Sequence, residues 1–142
     1  MKYFFDTNII SNLINQDHPT IEKIRNISSD KNSEFYINRL VYMESLRAIP
    51  FKRTQLYKKT KETLNKFEML DITQEIYEKS IKFARFCKSK GLNFGKCEAI
   101  DYIHFITAKH YKLEMISNDK DMDTMEKIYI DFLQNDNTKN EM

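Results

Sequence analysis

Short apolar runs that alternate with amphipathic stretches are the feature that most restricts the fold of this chain. Several runs have the length and the β-branched or aromatic content of strands, and the stretches between them carry apolar residues at helical spacing. The predicted strands are residues 3–5, 34–37, 67–72, 114–117 and 128–133. Because helical connections join parallel strands, this alternation predicts a three-layer α/β/α domain with a central, mainly parallel sheet of four to five short strands.

The predicted helices begin and end at residues suited to those positions. Asn38 suits the N-cap of the third helix, Pro50 ends that helix, and Gly91 ends the fifth. The predicted helices are residues 9–14, 20–27, 39–48, 52–66, 74–90 and 96–111. The polar residues 134–142 are expected to be a disordered tail, which leaves one domain at residues 1–133.

Composition narrows the class of protein. The chain has 142 residues, of which 41% are hydrophobic and only 2 are Gly and 2 are Pro, so we expect one buried core and neither disorder nor a loop-rich β-protein. Its 2 cysteines are too few for a disulfide scaffold or a structural zinc site. No apolar run is long enough to span a membrane, and Asp6 interrupts the apolar N-terminus, which excludes an ordinary secretory signal. These features predict a cytoplasmic protein.

Charge is distributed unevenly, although the net charge of +2 does not by itself indicate a nucleic-acid-binding protein. Residues 52–66 contain 6 basic residues and 1 acid, residues 79–96 contain 6 basic residues and no acid, and residues 113–142 contain 8 acids and 3 basic residues. Solvated helix faces account for each run taken alone. A basic surface beside an acidic centre also suits an enzyme that cuts a polyanion, and on that interpretation Lys58 and Lys59 contact phosphates.

Three carboxylates stand where an apolar residue would be usual. Asp6 directly follows the first strand, and the carboxyl ends of parallel strands are where α/β sheets bind ligands. Glu44 and Asp101 each lie within the apolar stripe of a predicted helix. A carboxylate in such a place must be hydrogen-bonded, paired with a cation or bound to a metal, or must reach water at the edge of the stripe.

Chain geometry is expected to bring a fourth carboxylate, Asp119, to the same place. The helix that contains Asp101 runs about 15 Å away from that residue, and the following strand returns over a similar distance. Asp119 is then level with Asp101, with Asp121 nearby, and both Asp101 and Asp119 lie at the same edge of the sheet as Asp6 if that strand is parallel to the first. Clustered carboxylates need a cation, and ligands that are all oxygen suit Mg²⁺ or Mn²⁺ rather than zinc. One or two such ions activate water for attack on a phosphodiester.

Three blocks of the sequence resemble a known family. Phe5-Asp6-Thr7-Asn8 is similar to its strand-ending D-[ST]-[NS], and residues 40–47, which include Glu44, are similar to its helix with a second acid. The third block, which begins at Asp101 and ends at residues 117–122, is similar to its acid-bearing helix followed by [TS]-x-D-x-D-[FM]. In order and spacing the blocks resemble the PIN-domain ribonucleases, most closely the VapC-type toxins of toxin–antitoxin pairs. The similarity extends over about residues 2–132.

The resemblance implies a PIN-like fold and Mg²⁺-dependent (or Mn²⁺-dependent) endonucleolytic cleavage of RNA without a covalent intermediate. It implies that the catalytic, metal-binding acids are Asp6, Glu44, Asp101 and Asp119, with Asp121 as a further metal ligand. The residues that would orient the carboxylates or supplement them are Thr7, Asn8, Ser117 and Glu98. It also implies a homodimer, and a cognate antitoxin, VapB-like, that covers the acidic groove.

Alternatives to this interpretation stay open. A phosphatase of the haloacid dehalogenase type also begins with a strand that ends in Asp, but it needs D-x-D, and residue 8 is Asn. A non-catalytic PIN-like domain that binds RNA or a partner is expected to lack one of the four acids, and none is missing. An RNA-processing nuclease without an antitoxin would share all of these motifs. Residues 102–105 read Tyr-Ile-His-Phe where the family usually has small and aliphatic residues.

Overall fold

Strands and helices alternate along the chain, as the sequence predicts. The computed structural model describes residues 1–91 and 99–141, with side chains described as far as residue 136. Within that part, the elements in order are β1 (Lys2–Phe5), α1 (Thr7–Ile14), α2 (His18–Ser28), β2 (Glu34–Asn38), α3 (Arg39–Arg47), α4 (Thr54–Leu64), β3 (Glu68–Leu70), α5 (Gln74–Ser89), α6 (Ala99–His110), β4 (Glu114–Ile116) and α7 (Lys120–Glu141).

The four strands form one sheet, and every pair in it is parallel. Their order is β3-β2-β1-β4, so that β1 pairs with β2 on one side and with β4 on the other. Successive connections step from β1 to β2 to β3, and the next connection returns past β1 to β4. The strand order therefore reverses between β1 and β4. In open parallel sheets, the crevice at the carboxyl ends of the strands beside such a reversal is the usual ligand site.

Two compact units make up the described chain. The first contains residues 1–72 and 108–118 and includes the sheet; the second is drawn from residues 73–107 and from residue 119 onward. The sequence predicted one core instead. The first unit buries the apolar faces of β1, α1, β2, α3 and α4 around fully buried side chains, which include Phe4, Ile9, Ile10, Ile37, Val41 and Leu64.

The second unit has an aromatic core of its own. Phe83 of α5 is fully buried. Its ring centroid lies 5.3 Å from that of Phe105 in α6, 5.6 Å from Tyr129 and 5.2 Å from Phe132 in α7. Aromatic pairs at these separations add to the free energy of area burial. Three helices therefore pack through their own apolar faces, which explains why composition alone did not reveal a second core.

The predicted fifth strand, residues 128–133, is wrong because these residues belong to helix α7. The buried side chains of α7 are Met122, Met125, Ile128, Tyr129 and Phe132, and they recur at intervals of three or four residues. This helical period begins upstream of the run that was taken as a strand, and packing overrides the β-like composition of that run. Residues 134–141, expected to be a disordered tail, form the last turns of α7.

The return from α6 to β4 depends on one residue in the left-handed region. Lys112 has a φ of 58°. The N–H of Lys112 donates to the carbonyl of Lys109 (3.2 Å), and the N–H of Leu113 donates to the carbonyl of Ala108 (2.8 Å). These two bonds form the Schellman motif that ends many helices. The motif reverses the chain directly into β4, between the predicted helix that ends at residue 111 and the predicted strand that begins at residue 114.

Most other predicted elements agree with the structure to within a few residues. Asn38 is the N-cap of α3 and Gly91 follows the end of α5, as expected, and Gly91 has a φ of 71°. The predicted start of the sixth helix at residue 96 lies outside the described residues. No helix in the described parts of the chain has both the length and the apolar character needed to cross a membrane.

Candidate active site

Asp6 lies at the carboxyl end of β1, where the strand order reverses. Its N–H continues the ladder by donating to the carbonyl of Ile116 in β4 (3.1 Å). Its side chain is the N-cap of α1, and Oδ1 accepts the N–H of Thr7 at 2.7 Å. Only 4% of Asp6 is exposed. A helix N-terminus favours a negative charge, which offsets part of the cost of burying this carboxylate.

Thr7 joins Asp6 to a second carboxylate that is distant in the sequence. Its N–H donates to Asp6, and its hydroxyl donates to Oε1 of Glu44 at 2.8 Å. Glu44 is half-buried in α3, the helix that follows β2. The side chain of Asn38 fixes the start of α3 by accepting the N–H of Val41 at 2.9 Å. The helices α1 and α3 both begin at the carboxyl edge of the sheet, and they bring Asp6 and Glu44 into contact with one residue, Thr7.

A third group of contacts reaches Asp6 from β4. The hydroxyl of Ser117 donates to Oδ2 of Asp6 at 3.0 Å. The amide of Asn8 donates to the Ser117 oxygen at 3.4 Å, and the N–H of Asn118 donates to Oδ1 of Asn8 at 3.4 Å. The three residues predicted to orient the carboxylates, Thr7, Asn8 and Ser117, therefore all have hydrogen bonds within this network. Sequence reasoning missed Asn118, which contributes through its backbone, and no side-chain pattern reports such a contact.

The remaining predicted acids lie in the second unit. Asp101 is half-buried in the first turn of α6. Asp119 immediately precedes α7, and its Oδ1 accepts the N–H of Asp121 at 2.9 Å. Partial burial and the negative charge of Asp119 raise the pKa of Asp121 above its ordinary value of 3.8. Glu98 lies outside the described residues. The predicted alignment of Asp101 with Asp119 stays a prediction.

The donor atoms around Asp6 are suited to one class of metal. Among the side chains that the structure describes, in residues 1–91 and 99–136, no three of His, Cys, Asp or Glu together form a group able to hold a metal ion. Asp6 and Glu44 supply two carboxylates, and the hydroxyls of Thr7 and Ser117 contact them. This set contains oxygen alone, as Mg²⁺ and Mn²⁺ prefer, and Mg²⁺ sites commonly use one or two carboxylates together with water and substrate phosphates.

Nucleophilic side chains give no competing chemistry in the described part of the chain. Cys87 is buried, and burial raises the pKa of its thiol to about 11, so that it is protonated and a poor nucleophile. The imidazole of His18 lies on the surface 3.8 Å from Glu22, whereas His104 is buried in α6. The second cysteine, Cys97, lies outside the described residues.

Comparison with known proteins agrees with this architecture. The sequence matches the PIN domain family over residues 3–128. No curated protein sequence matches the chain.

Solved structures that are similar to it include two complexes. One is VapBC2 from Rickettsia felis bound to a DNA fragment from its promoter (TM-score 0.74, 20% identity, 88% of this chain and 93% of that one). The other is a toxin–antitoxin complex from Klebsiella pneumoniae (TM-score 0.65, 22% identity, 82% of this chain and 88% of that one). At these identities the likeness shows the fold. Because the family match extends over most of the sequence, and because the parallel sheet agrees with it, this chain belongs to the PIN domain family.

Proposed function

We propose that this chain is an endoribonuclease that depends on Mg²⁺ or Mn²⁺, and that it is the toxin of a toxin–antitoxin pair. One observation carries the proposal: Thr7 donates to both Asp6 and Glu44, at 2.7 Å and 2.8 Å, where the strand order reverses. Bringing two acids together beside a buried strand end does little to stabilise a fold. A site that must hold a divalent cation needs such carboxylates as ligands.

Each residue of this network has a role that follows from its contacts. Asp6 and Glu44 would hold the metal, and Thr7 would fix their carboxylates relative to each other. Ser117 would hold the second oxygen of Asp6, and Asn8 would hold Ser117. When bound, the metal lowers the pKa of a water molecule and offsets the negative charge of the phosphodiester. Hydrogen bonds to the ligands set their orientation, which matters for metal affinity.

The proposal assigns further metal binding to Asp101 and Asp119, with Asp121 and Glu98 as additional acids. This assignment rests on the sequence blocks that resemble the family. All four principal acids are present, which favours a catalytic chain over a PIN-like domain that only binds RNA or a partner.

The toxin assignment rests on fold likeness to proteins that were solved as toxin–antitoxin complexes. It includes a cognate, VapB-like antitoxin that covers the acidic groove, and a homodimer. Expression in a host cell tests the toxin assignment. We expect the chain to arrest growth of the cell, and the Asp6→Asn variant to leave growth normal. Normal growth with active enzyme in the cell would favour an RNA-processing nuclease without an antitoxin.

Cleavage of a labelled RNA pool tests the enzymatic part directly. The purified chain is incubated with Mg²⁺ and with EDTA, alongside Asp101→Asn and a matched control, Asp131→Asn, whose side chain is exposed on α7. We expect cutting by the wild type and the control with Mg²⁺ alone, and none by Asp101→Asn. No cutting by folded protein free of inhibitor would favour the binding role, and cutting in EDTA would refute metal dependence.

A further inference from the structure

An exposed aromatic side chain marks the connection between α3 and α4. The N–H of Arg53 donates to the carbonyl of Pro50 at 2.9 Å, which closes a turn with Phe51 and Lys52 at its centre. Phe51 is 99% exposed. A side chain this exposed adds nothing to the core, so folding gives no reason for a phenyl ring at the tip of the turn.

Phe51 borders a groove that contains a second aromatic ring. The groove has a volume of about 660 Å³, and its lining includes Ile49, Pro50 and Tyr57 as well as Phe51. Tyr57, in the first turns of α4, is 44% exposed. Two accessible rings therefore border one groove within the first unit. Grooves of this kind, with stacking surfaces, accept flat, partly apolar groups such as nucleobases.

Positive charge is concentrated in the segment of the chain that carries the groove. Residues 47–61 include six basic residues and no acid: Arg47, Lys52, Arg53, Lys58, Lys59 and Lys61. All six are exposed, and none is in an ion pair among the salt bridges of the described residues. Arg47 also lines the groove. This charge repels a basic partner and attracts a polyanion.

Helix periodicity places some of these cations nearer the groove than others. Lys61 is four residues after Tyr57 on α4, so the two side chains share one side of the helix. Lys59 is two residues from Tyr57 and lies on nearly the opposite side. Lys59, for which the charge pattern predicted a phosphate contact, therefore lies away from the groove and is a matched control for Lys61. We use the name aromatic–basic surface for Arg47, Phe51, Lys52, Tyr57 and Lys61.

We propose that the aromatic–basic surface binds a single-stranded segment of RNA, with bases stacked on Phe51 and Tyr57 and phosphates paired with the cations. The inference rests on the proposed function, because the RNA is the substrate of that function. Exposed aromatic rings flanked by cations bind single strands without strict sequence preference, since every base has a face on which to stack. A duplex buries those faces, so it is expected to bind more weakly here.

Binding is measured separately from cleavage. The fluorescence anisotropy of a labelled single-stranded oligoribonucleotide of about 12 nucleotides, within the usual site size, is followed in EDTA. We expect Phe51→Ala to weaken binding about tenfold and Phe51→Tyr to retain it. Ile130→Ala, which removes another exposed apolar side chain, on α7, is the control and should bind like the wild type.

Salt dependence tests the role of charge. We expect Lys61→Ala to reduce the slope of log K against log [salt] by about 0.7, the change for one phosphate contact on a single strand. Lys59→Ala should reduce it by less. Equal slopes for the two variants would contradict the placement of phosphates along the Tyr57 side of α4.

The outcomes separate this inference from the proposed function. If Phe51→Ala binds RNA more weakly and the wild type shows no Mg²⁺-dependent cutting, the RNA-binding role of the aromatic–basic surface is supported and the nuclease proposal is refuted. If the wild type shows Mg²⁺-dependent cutting and Phe51→Ala binds RNA as well as the wild type, the RNA-binding role is refuted and the nuclease proposal is supported. No binding of single-stranded RNA by the wild type would also refute the surface. Normal RNA binding with loss of a protein partner from Phe51→Ala would assign the surface to that partner instead.

Discussion

Two pairs of acidic side chains in this chain are built in different ways. Asp6 caps the helix that follows β1, Glu44 lies in the helix that follows β2, and Thr7 joins them through two hydrogen bonds. Asp119 and Asp121 are two residues apart, and a backbone N–H of one donates to the carboxylate of the other. The first pair exists only when β1, β2 and their helices are assembled. The second is a local contact at the start of a helix, where acids are common.

This difference indicates which pair is explained by a function and which by folding. A local acid at a helix start contributes to capping, so its presence has an ordinary structural explanation. Two carboxylates brought together by tertiary structure repel each other, and a fold that keeps them needs a compensating role. We therefore expect changes in the first pair to affect activity most and a change at Asp121 to affect mainly stability.

Within the two pairs, the largest effect is expected from Asp6→Asn. The amide keeps a cap for α1 but removes the charge that would hold the metal, so the rate of RNA cleavage should fall by about 100-fold or more. Initial rates at saturating Mg²⁺ measure this, with Asp131→Asn as the control. Circular dichroism should show that the variant is folded. A folded Asp6→Asn variant with the wild-type rate would remove Asp6 from the site.

Glu44→Gln is expected to reduce cleavage by a similar or smaller factor. Gln keeps an oxygen that accepts the Thr7 hydroxyl but has no charge for a cation. Glu62→Gln, an exposed position on α4, is the control. If the two variants cleave RNA at the same rate, the tertiary pair has no more catalytic importance than a surface acid.

A moderate effect is expected from Thr7→Val, which removes the hydroxyl that contacts Glu44 and keeps the backbone donor to Asp6. Loss of a group that orients metal ligands typically lowers metal affinity about 10- to 100-fold. The Mg²⁺ concentration at half-maximal cleavage should therefore rise for Thr7→Val and stay close to wild type for Thr7→Ser. Equal rises for both variants would show that the hydroxyl is not the cause.

The smallest effect is expected from Asp121→Asn. Because the pKa of Asp121 is raised in the folded chain, its ionised form is less favourable there than in the unfolded chain. Stability is therefore lost as the pH rises from the ordinary value of 3.8 through the folded pKa. At pH 7 in EDTA the Asn variant should equal or slightly exceed wild-type stability, by about 0.5 kcal/mol or less. The gain should vanish below the ordinary value, and urea unfolding at both pH values measures it.

The sequence predicted the first unit well because its signals are local. The strand that ends at Asp6, the Asn38 cap and the turn near Lys112 each leave a mark within a few residues. The parallel sheet followed from the alternation of strands and helices, and the strand pairings confirm it. One short motif likewise predicted the position of Asp6 at the carboxyl end of β1.

The second unit was harder to predict because its signals are distributed over three helices. The run at residues 128–133 has strand-like composition. The helical period that includes Met122 and Met125 distinguishes helix from strand only once the packing against Phe83 is known. In the first unit, the sequence predicted Thr7 as a residue that orients carboxylates, but not that its hydroxyl contacts Glu44. That contact depends on the distance between α1 and α3, which no single motif encodes.

Direct titration with a divalent cation tests the central claim that Asp6 and Glu44 form a metal-binding pair. Mn²⁺ serves as a paramagnetic probe, and bound Mn²⁺ is measured by electron paramagnetic resonance for the wild type, Asp6→Asn, Glu44→Gln and the controls Asp131→Asn and Glu62→Gln. The account predicts weaker binding by at least about tenfold for the first two variants, and wild-type binding by both controls. Equal Mn²⁺ affinity in all five proteins would contradict it.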